Sequence, residues 1–204
     1  MKYSSSFTAG GLLFNEFEAI LPALIAGNIE EFLRKESGEN NYLKISTESA
    51  RKRIITELKK RIISVPKEFW VHYSKSDDYQ KKLFLFYVCT KTYLLIYDMH
   101  FKITTQAFWA YKQEIDIYPY KMYLDELSTK DEEIGSWSES TRQKCITNYF
   151  RMLRESGLLI NKATKRPETV NDFYCYFVNH NETWALDIYF LDQTEKNKII
   201  NYCQ

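Results

Sequence analysis

Glycine and proline are scarce in this chain, with six and four among 204 residues. Their scarcity excludes a collagen-like or low-complexity chain and argues against a barrel whose corners need glycine. Cysteine is sparse too. Four stand at positions 89, 145, 175 and 203, with no C-x-x-C pair and no histidine at metal-ligand spacing. A secreted disulfide scaffold is shorter and richer in cysteine, so all four read as reduced, buried cytosolic thiols. A membrane span needs about 18 continuous apolar residues. The stretch 83–99 is broken by Thr90, Lys91, Thr92 and Asp98, and the stretch 12–26 by Asn15, Glu16 and Glu18. The opening Met1-Lys2-Tyr3-Ser4 lacks the layout of a signal peptide. The expectation is a cytoplasmic protein with no membrane partner.

Catalytic signatures are missing as well. There is no G-x-x-x-x-G-K-[ST], no G-x-G-x-x-G, no H-E-x-x-H and no serine nucleophile elbow. His72, His100 and His180 are far apart in sequence, and Glu30-Glu31 and Glu132-Glu133 are neighbours on surfaces rather than converging dyads. The expectation is a protein that is not an enzyme and carries no metal or cofactor.

Aromatic residues are abundant, at 16%, and the apolar residues recur at helical spacing. Phe14, Phe17, Ile20, Leu21, Leu24 and Ile25 form one stripe, with Pro22 inside it as a kink or a second start and Gly27-Asn28 as a stop. Ser46 or Thr47 caps a helix in which Ala50, Ile54, Leu58 and Ile62 fall on one face. Lys52, Arg53, Lys59 and Lys60 fall opposite, while Arg51 and Arg61 lie nearer the apolar stripe. Pro66 starts a short helix. Residues 81–97 read as one long, nearly all-apolar core helix, and Thr104 or Thr105 caps another. A soft boundary near 116–119 divides the chain into an N-terminal helical bundle, 1–118, and a C-terminal part, 119–204. In that second part a short helix, an acidic turn and Gly135 precede a helix capped by Ser136 or Ser138. Ser136-x-x-Glu139 fits a capping box, and Gly157 ends the helix. Leu158, Leu159 and Ile160 then read as extended, 161–167 as a basic turn, and Val170 to Val178 as a further helix. Residues 184–191 fit either helix or strand. The fold class is mainly α.

The net charge of +1 hides its distribution. Residues 51–67 hold seven Lys or Arg against Glu57, and residues 139–166 hold seven against Glu139 and Glu155. Residues 114–133 hold seven acids against two lysines, and residues 168–195 hold six acids and no Lys or Arg. Basic residues clustered on one face release counterions from phosphates, which is the footprint of a nucleic-acid binder. A charged face opposite an apolar stripe is also simply what a solvated helix shows. The second block carries more organisation: helix, turn, capped helix, extended piece and basic turn follow in the order of a helix-turn-helix with a wing. With Ile146 inward, Lys144, Thr147, Asn148, Arg151 and Glu155 project outward, and cations and Asn suit phosphates and base edges. Thr141 stands in the first turn, where free N–H groups face solvent. Arg154 follows on the same helix, and Lys162, Lys165 and Arg166 stand where a wing meets the backbone. The candidate DNA-binding residues are Lys52, Arg53, Lys59, Lys60, Thr141, Lys144, Asn148, Arg151, Arg154, Lys165 and Arg166.

Several stretches resemble one family. They are residues 2–13, Ser49-Ala50-Arg51-Lys52-Arg53-Ile54, Pro66-Lys67-Glu68-Phe69-Trp70, residues 137–142 and residues 152–159. Together these resemble the BrxA family of BREX bacteriophage-defence systems, over most of the chain to about 160. The resemblance implies a small, mainly α, multi-helix bundle similar to the antitermination factor NusB, to which the pattern of the C-terminal part adds the helix-turn-helix or winged-helix-like reading. It implies a DNA-binding component that works with other BREX components, which supply the methyltransferase and ATPase activities. An assembly adaptor, or an RNA-binding factor like NusB, is the alternative.

Overall fold

The computed structural model describes residues 2–112 and 114–204. A 3-10 turn, Ser6–Ala9, leads to α1 (Phe14–Ala26), α2 (Ile29–Glu39), α3 (Glu48–Ile63), α4 (Lys67–Ser74) and α5 (Asp78–Thr92). Pro22 neither ends nor divides α1; Phe17, Ile20, Ala23 and Leu24 are buried around it, and this packing outweighs the one lost hydrogen bond. Gly27 then takes the left-handed φ of 79° that closes the helix. Thr47 caps α3, accepting from the Ala50 N–H, as the sequence suggests.

The long apolar helix expected over 81–97 is two helices. α5 stops at Tyr93, in extended backbone, and α6 (Leu94–Met99) restarts beyond it. The break lets the Tyr93 hydroxyl donate to Glu57 Oε2 at 2.5 Å and accept from Arg61 Nε at 3.2 Å, two buried partners that a continuous helix would leave unsatisfied. From α6 the chain runs through a π-turn, His100–Thr104, into α7 (Thr105–Trp109). Thr104 therefore caps nothing. Its hydroxyl is buried between those of Tyr120 and Tyr149, at 2.8 and 2.5 Å.

After 110–117 come α8 (Tyr118–Ser128), the one-turn α9 (Glu132–Gly135) and α10 (Glu139–Glu155). Ser138 caps α10, accepting from the Thr141 N–H at 3.2 Å. The Ser136 capping box does not form, because the Ser136 hydroxyl instead donates back to the Glu133 carbonyl at 2.6 Å and closes α9. Gly157, at φ 77°, ends α10. A two-strand antiparallel hairpin follows, β1 (Leu159–Ile160) and β2 (Ala163–Thr164), in register Leu159↔Thr164 and Ile160↔Ala163. The Lys162 carbonyl accepts from the Ile115 N–H at 2.9 Å, so the hairpin is pinned to the segment that precedes α8.

The chain closes with α11 (Asn171–Asn179), a 3-10 helix (Thr183–Tyr189) that settles the ambiguity of 184–191, and α12 (Gln193–Cys203). Cys175 on α11 and Cys203 on α12 form a disulfide. Two of the four cysteines are therefore not the free thiols that the sequence suggests. Composition argued against a disulfide scaffold, yet α11 and α12 pack side by side and bring two cysteines 28 residues apart to a Cα–Cα distance of 5.2 Å. Cys89 and Cys145 are free and buried. The core is aromatic-rich and continuous from Phe7 to Ile199, with Phe69, Phe84, Tyr176 and Phe177 meeting at its centre. Among the described residues no helix is long and apolar enough to cross a membrane.

Candidate nucleic-acid interface

The two basic blocks are not wholly surface. Arg51 is buried, its Nε donating to the Ser37 carbonyl at 2.9 Å. Arg61 is fully enclosed, and its Nη1 donates to the Gly11 and Leu12 carbonyls, each at 2.9 Å. The outer face of α3 is what remains: Lys52, Arg53, Thr56 and Lys59 exposed, and Lys60 half-buried. Lys52 pairs with Glu48 at 2.5 Å and Lys60 with the buried Glu57 at 2.9 Å. Arg53 and Lys59 pair with no acid among the described residues and are the free cations of this face.

On α10 the inward set Cys145, Ile146, Tyr149, Phe150, Met152 and Leu153 is buried, which turns Lys144, Thr147, Arg151 and Arg154 outward. Lys144 is exposed and unpaired among the described residues. The Thr141 hydroxyl is tied to Ser138 Oγ at 2.9 Å. Asn148 is half-buried and turns its amide back to the Lys144 carbonyl at 3.1 Å, leaving its oxygen as an acceptor. Arg151 Nε donates to Glu155 at 2.6 Å, which leaves the terminal nitrogens of the guanidinium free. Arg154 lies over the Phe150 ring at 5.9 Å.

Glu155 does not project freely. It points at the N-terminal segment, where its Oε2 accepts from the Leu12 N–H at 2.6 Å. A Cβ on residue 11 would stand 2.3 Å from that oxygen, so any larger residue there must push the Glu155 carboxylate off the Leu12 N–H. The segment is thus clamped on both sides. Arg61 of α3 holds its carbonyls and Glu155 of α10 holds its N–H. The 3-10 turn consequently sits between the two basic helices. Ala9 lines two adjoining clefts, one with Arg151, Lys82 and Ile54, the other with Lys52, Arg53 and Lys60.

Lys82 is a cation that sequence reasoning passed over. It lies inside the apolar run of α5, yet its ammonium reaches the surface over the Phe14 ring at 4.9 Å. Leu85 and Phe86, on the same helical face, are fully buried, so the pattern of α5 carried no signal for it. Lys162 shares a further cleft with Thr147 and Arg154, beside the acids Glu114 and Asp116. Lys165 and Arg166 are not part of the clefts beside Ala9. Lys165 pairs with Glu168 at 2.8 Å, an exposed pair that holds its ammonium pKa above the ordinary lysine value. Arg166 pairs with Glu195 of α12 and lies over Phe108 and Trp109, at 5.9 and 6.0 Å.

Burial pushes the Cys89 thiol pKa up to about 11 and the Cys145 thiol up to about 12, far from thiolate. Among the described residues no three His, Cys, Asp or Glu side chains converge as a metal set.

A family model described as BrxA matches residues 1–170. The chain is similar to a protein described as "BREX protein BrxA" from Bacillus cereus (strain H3081.97), 22% identical over 164 residues, 80% of this chain and 82% of that one. It shares its fold with the crystal structure of an uncharacterized protein from Magnetospirillum magneticum, at a TM-score of 0.80 and 20% identity, over 94% of this chain and all of the other.

Proposed function

The chain belongs to the BrxA family of BREX phage-defence systems, and on that premise we propose that it is a non-enzymatic, cytoplasmic component that grips duplex DNA through its phosphates. The observation that carries this reading is the convergence of two exposed basic helix faces, α3 and α10, on either side of one clamped turn. Arg53, Lys59, Lys144 and Arg151, joined by Lys82, make the core of the contact. The order α8, α9, α10, hairpin supports α10 as the groove-facing helix and the hairpin as a short wing. Phosphate contacts dominate this set, so sequence preference is low and salt dependence steep.

The test is duplex affinity against salt. Lys59→Glu with Lys144→Glu alters two cations that hold nothing else in place. The pair should weaken binding to random duplex and flatten the slope of log K on log salt by about one unit per lost contact. Wild-type affinity that is flat from low to high salt overturns the reading, and preference for single-stranded RNA replaces it with a NusB-like one.

A second reading, an assembly adaptor, is favoured by the face opposite in charge. Tyr118 and Met122 on α8 are 62% and 55% exposed beside the acids Asp125 and Glu126. Such a face suits a basic segment of another BREX component. Substituting Met122 and Asp125 should then impair assembly and leave DNA affinity unchanged.

A further inference from the structure

α12 is attached by little apolar surface. Ile199 is its one buried residue among those described. The remaining attachment is polar or covalent. Lys196 pairs with Asp187 at 2.8 Å, the Tyr202 hydroxyl donates to Asp172 at 2.9 Å, Glu195 pairs with Arg166, and Cys203 is bonded to Cys175. Exposed or half-exposed ion pairs of this kind add little. An eleven-residue helix is marginal without tertiary support. α12 lies alongside α11, the disulfide is the covalent fastening between them, and both of its cysteines are partly exposed, unlike Cys89 and Cys145.

Glu195 is bound on both oxygens. Oε2 accepts from the Asp192 N–H at 2.9 Å, completing the capping box of α12, and Oε1 takes the Arg166 guanidinium. Arg166 follows directly on the hairpin beyond α10. Phe108 and Trp109 flank its half-buried guanidinium, and the carboxylate of Glu195 takes the exposed Nη1, the position a phosphate oxygen would need.

We propose that the Cys175–Cys203 disulfide is a redox tether that holds Glu195 of α12 as an autoinhibitory cover on Arg166, just beyond the wing. This rests on the DNA-binding reading above and adds its regulation. With the bridge closed, Glu195 neutralises Arg166 and sets a carboxylate against the approaching backbone. A dithiol reductant opens the bridge. It supplies two electrons and two protons, the Cys175–Cys203 S–S bond breaks, both sulfurs leave as thiols, and the two sulfurs of the reductant join as its own disulfide. α12 then detaches, and Arg166 adds one phosphate contact to those on α3 and α10. A reducing cytosol favours this open, higher-affinity form.

The experiment measures fluorescence anisotropy on a random 20-base-pair duplex across salt, for oxidised and dithiothreitol-treated protein, with hydrogen exchange of 193–203 on the same samples. Reduction is expected to deprotect 193–203, raise affinity severalfold and steepen the salt slope by about one unit, as one added phosphate contact requires. Cys203→Ser should show the reduced behaviour under both conditions, and Glu195→Gln should raise the affinity of the oxidised protein. Unchanged exchange at 193–203 after reduction overturns the tether even if DNA binds tightly. Released amides with unchanged affinity overturn the autoinhibition. Released amides with no duplex binding in either redox state overturn the DNA reading, and the regulation falls with it.

Discussion

His100 is enclosed completely and stands in a chain of buried polar groups. Its Nε2 donates to the Ile188 carbonyl at 2.9 Å, because a carbonyl only accepts, and Nδ1 accepts from the Tyr149 hydroxyl at 3.0 Å. Thr104 and Tyr120 continue the chain of hydroxyls. Every member is satisfied with the imidazole neutral. Burial holds the His100 pKa down to about 4, against a smaller upward pull from the Ile188 carbonyl. The unfolded chain takes up this proton near its ordinary pKa of about 6.5, while the folded protein refuses it until about pH 4. Stability from this group is therefore full above pH 6.5 and is lost as pH falls toward 4. Between pH 6.5 and 5 the loss is about 2 kcal/mol, at ~1.4 kcal/mol per unit. Urea titrations at the two pH values should show that difference in the wild type and a shallower one in His100→Gln. Parallel curves for the two proteins would assign the pH dependence to carboxylates instead.

Among the elements, the two basic helices α3 and α10 were legible from local chemistry. Thr47 and Ser138 cap α3 and α10, and Gly27 and Gly157 stop the helices before them, because these signals act within four residues and need no tertiary partner. Ser138→Ala removes the acceptor of the Thr141 N–H at the exposed start of α10. It should cost about 1 kcal/mol, read as a lower urea midpoint at unchanged m-value. Ser136→Ala, at the site where the capping box was expected, should cost less than half of that. What local chemistry misplaced was decided at a distance. α5 breaks at Tyr93 because Glu57 and Arg61 lie 36 and 32 residues away waiting for its hydroxyl. The π-turn forms where Thr104 must reach Tyr120 and Tyr149. α12, whose sequence shows only one apolar residue that the fold buries, carried too weak a periodicity to be placed at all.

At the scale of the molecule, Arg61 is the joint. It comes from the first basic block, yet its Nε and Nη1 are turned inward to Tyr93 and to the Gly11 and Leu12 carbonyls, while its Nη2 is buried without a partner among the described residues, and through Leu12 it fixes the spacing of α3 from α10. Arg61→Ala strands two buried carbonyls and removes the charged donor to the Tyr93 hydroxyl, which itself holds Glu57. The expected cost is about 3–5 kcal/mol, measured as the urea unfolding free energy, with duplex affinity falling as the two faces lose their relative placement. Arg53→Gln, which removes a cation of the same block at the surface, should leave stability within about 0.5 kcal/mol and act on affinity alone.

The sequence by itself determined a mainly helical chain, the faces of α3 and α10, and the charge blocks beneath a net charge of +1, since periodicity and charge order are local properties. Kinship was also written locally, in short stretches that all lie within residues 1–170, the span the BrxA family model matches. Only the tertiary structure decided which cations are free. Arg51 and Arg61 went inward to satisfy carbonyls, Arg166 was taken by a glutamate 29 residues on, and Lys82 surfaced from an apolar run. Only it decided that Cys175 and Cys203 meet. The physical reason is the same throughout. A helical face follows from spacing along one segment, but the partner of a buried or half-buried polar group comes from whichever distant segment packing brings within three ångströms.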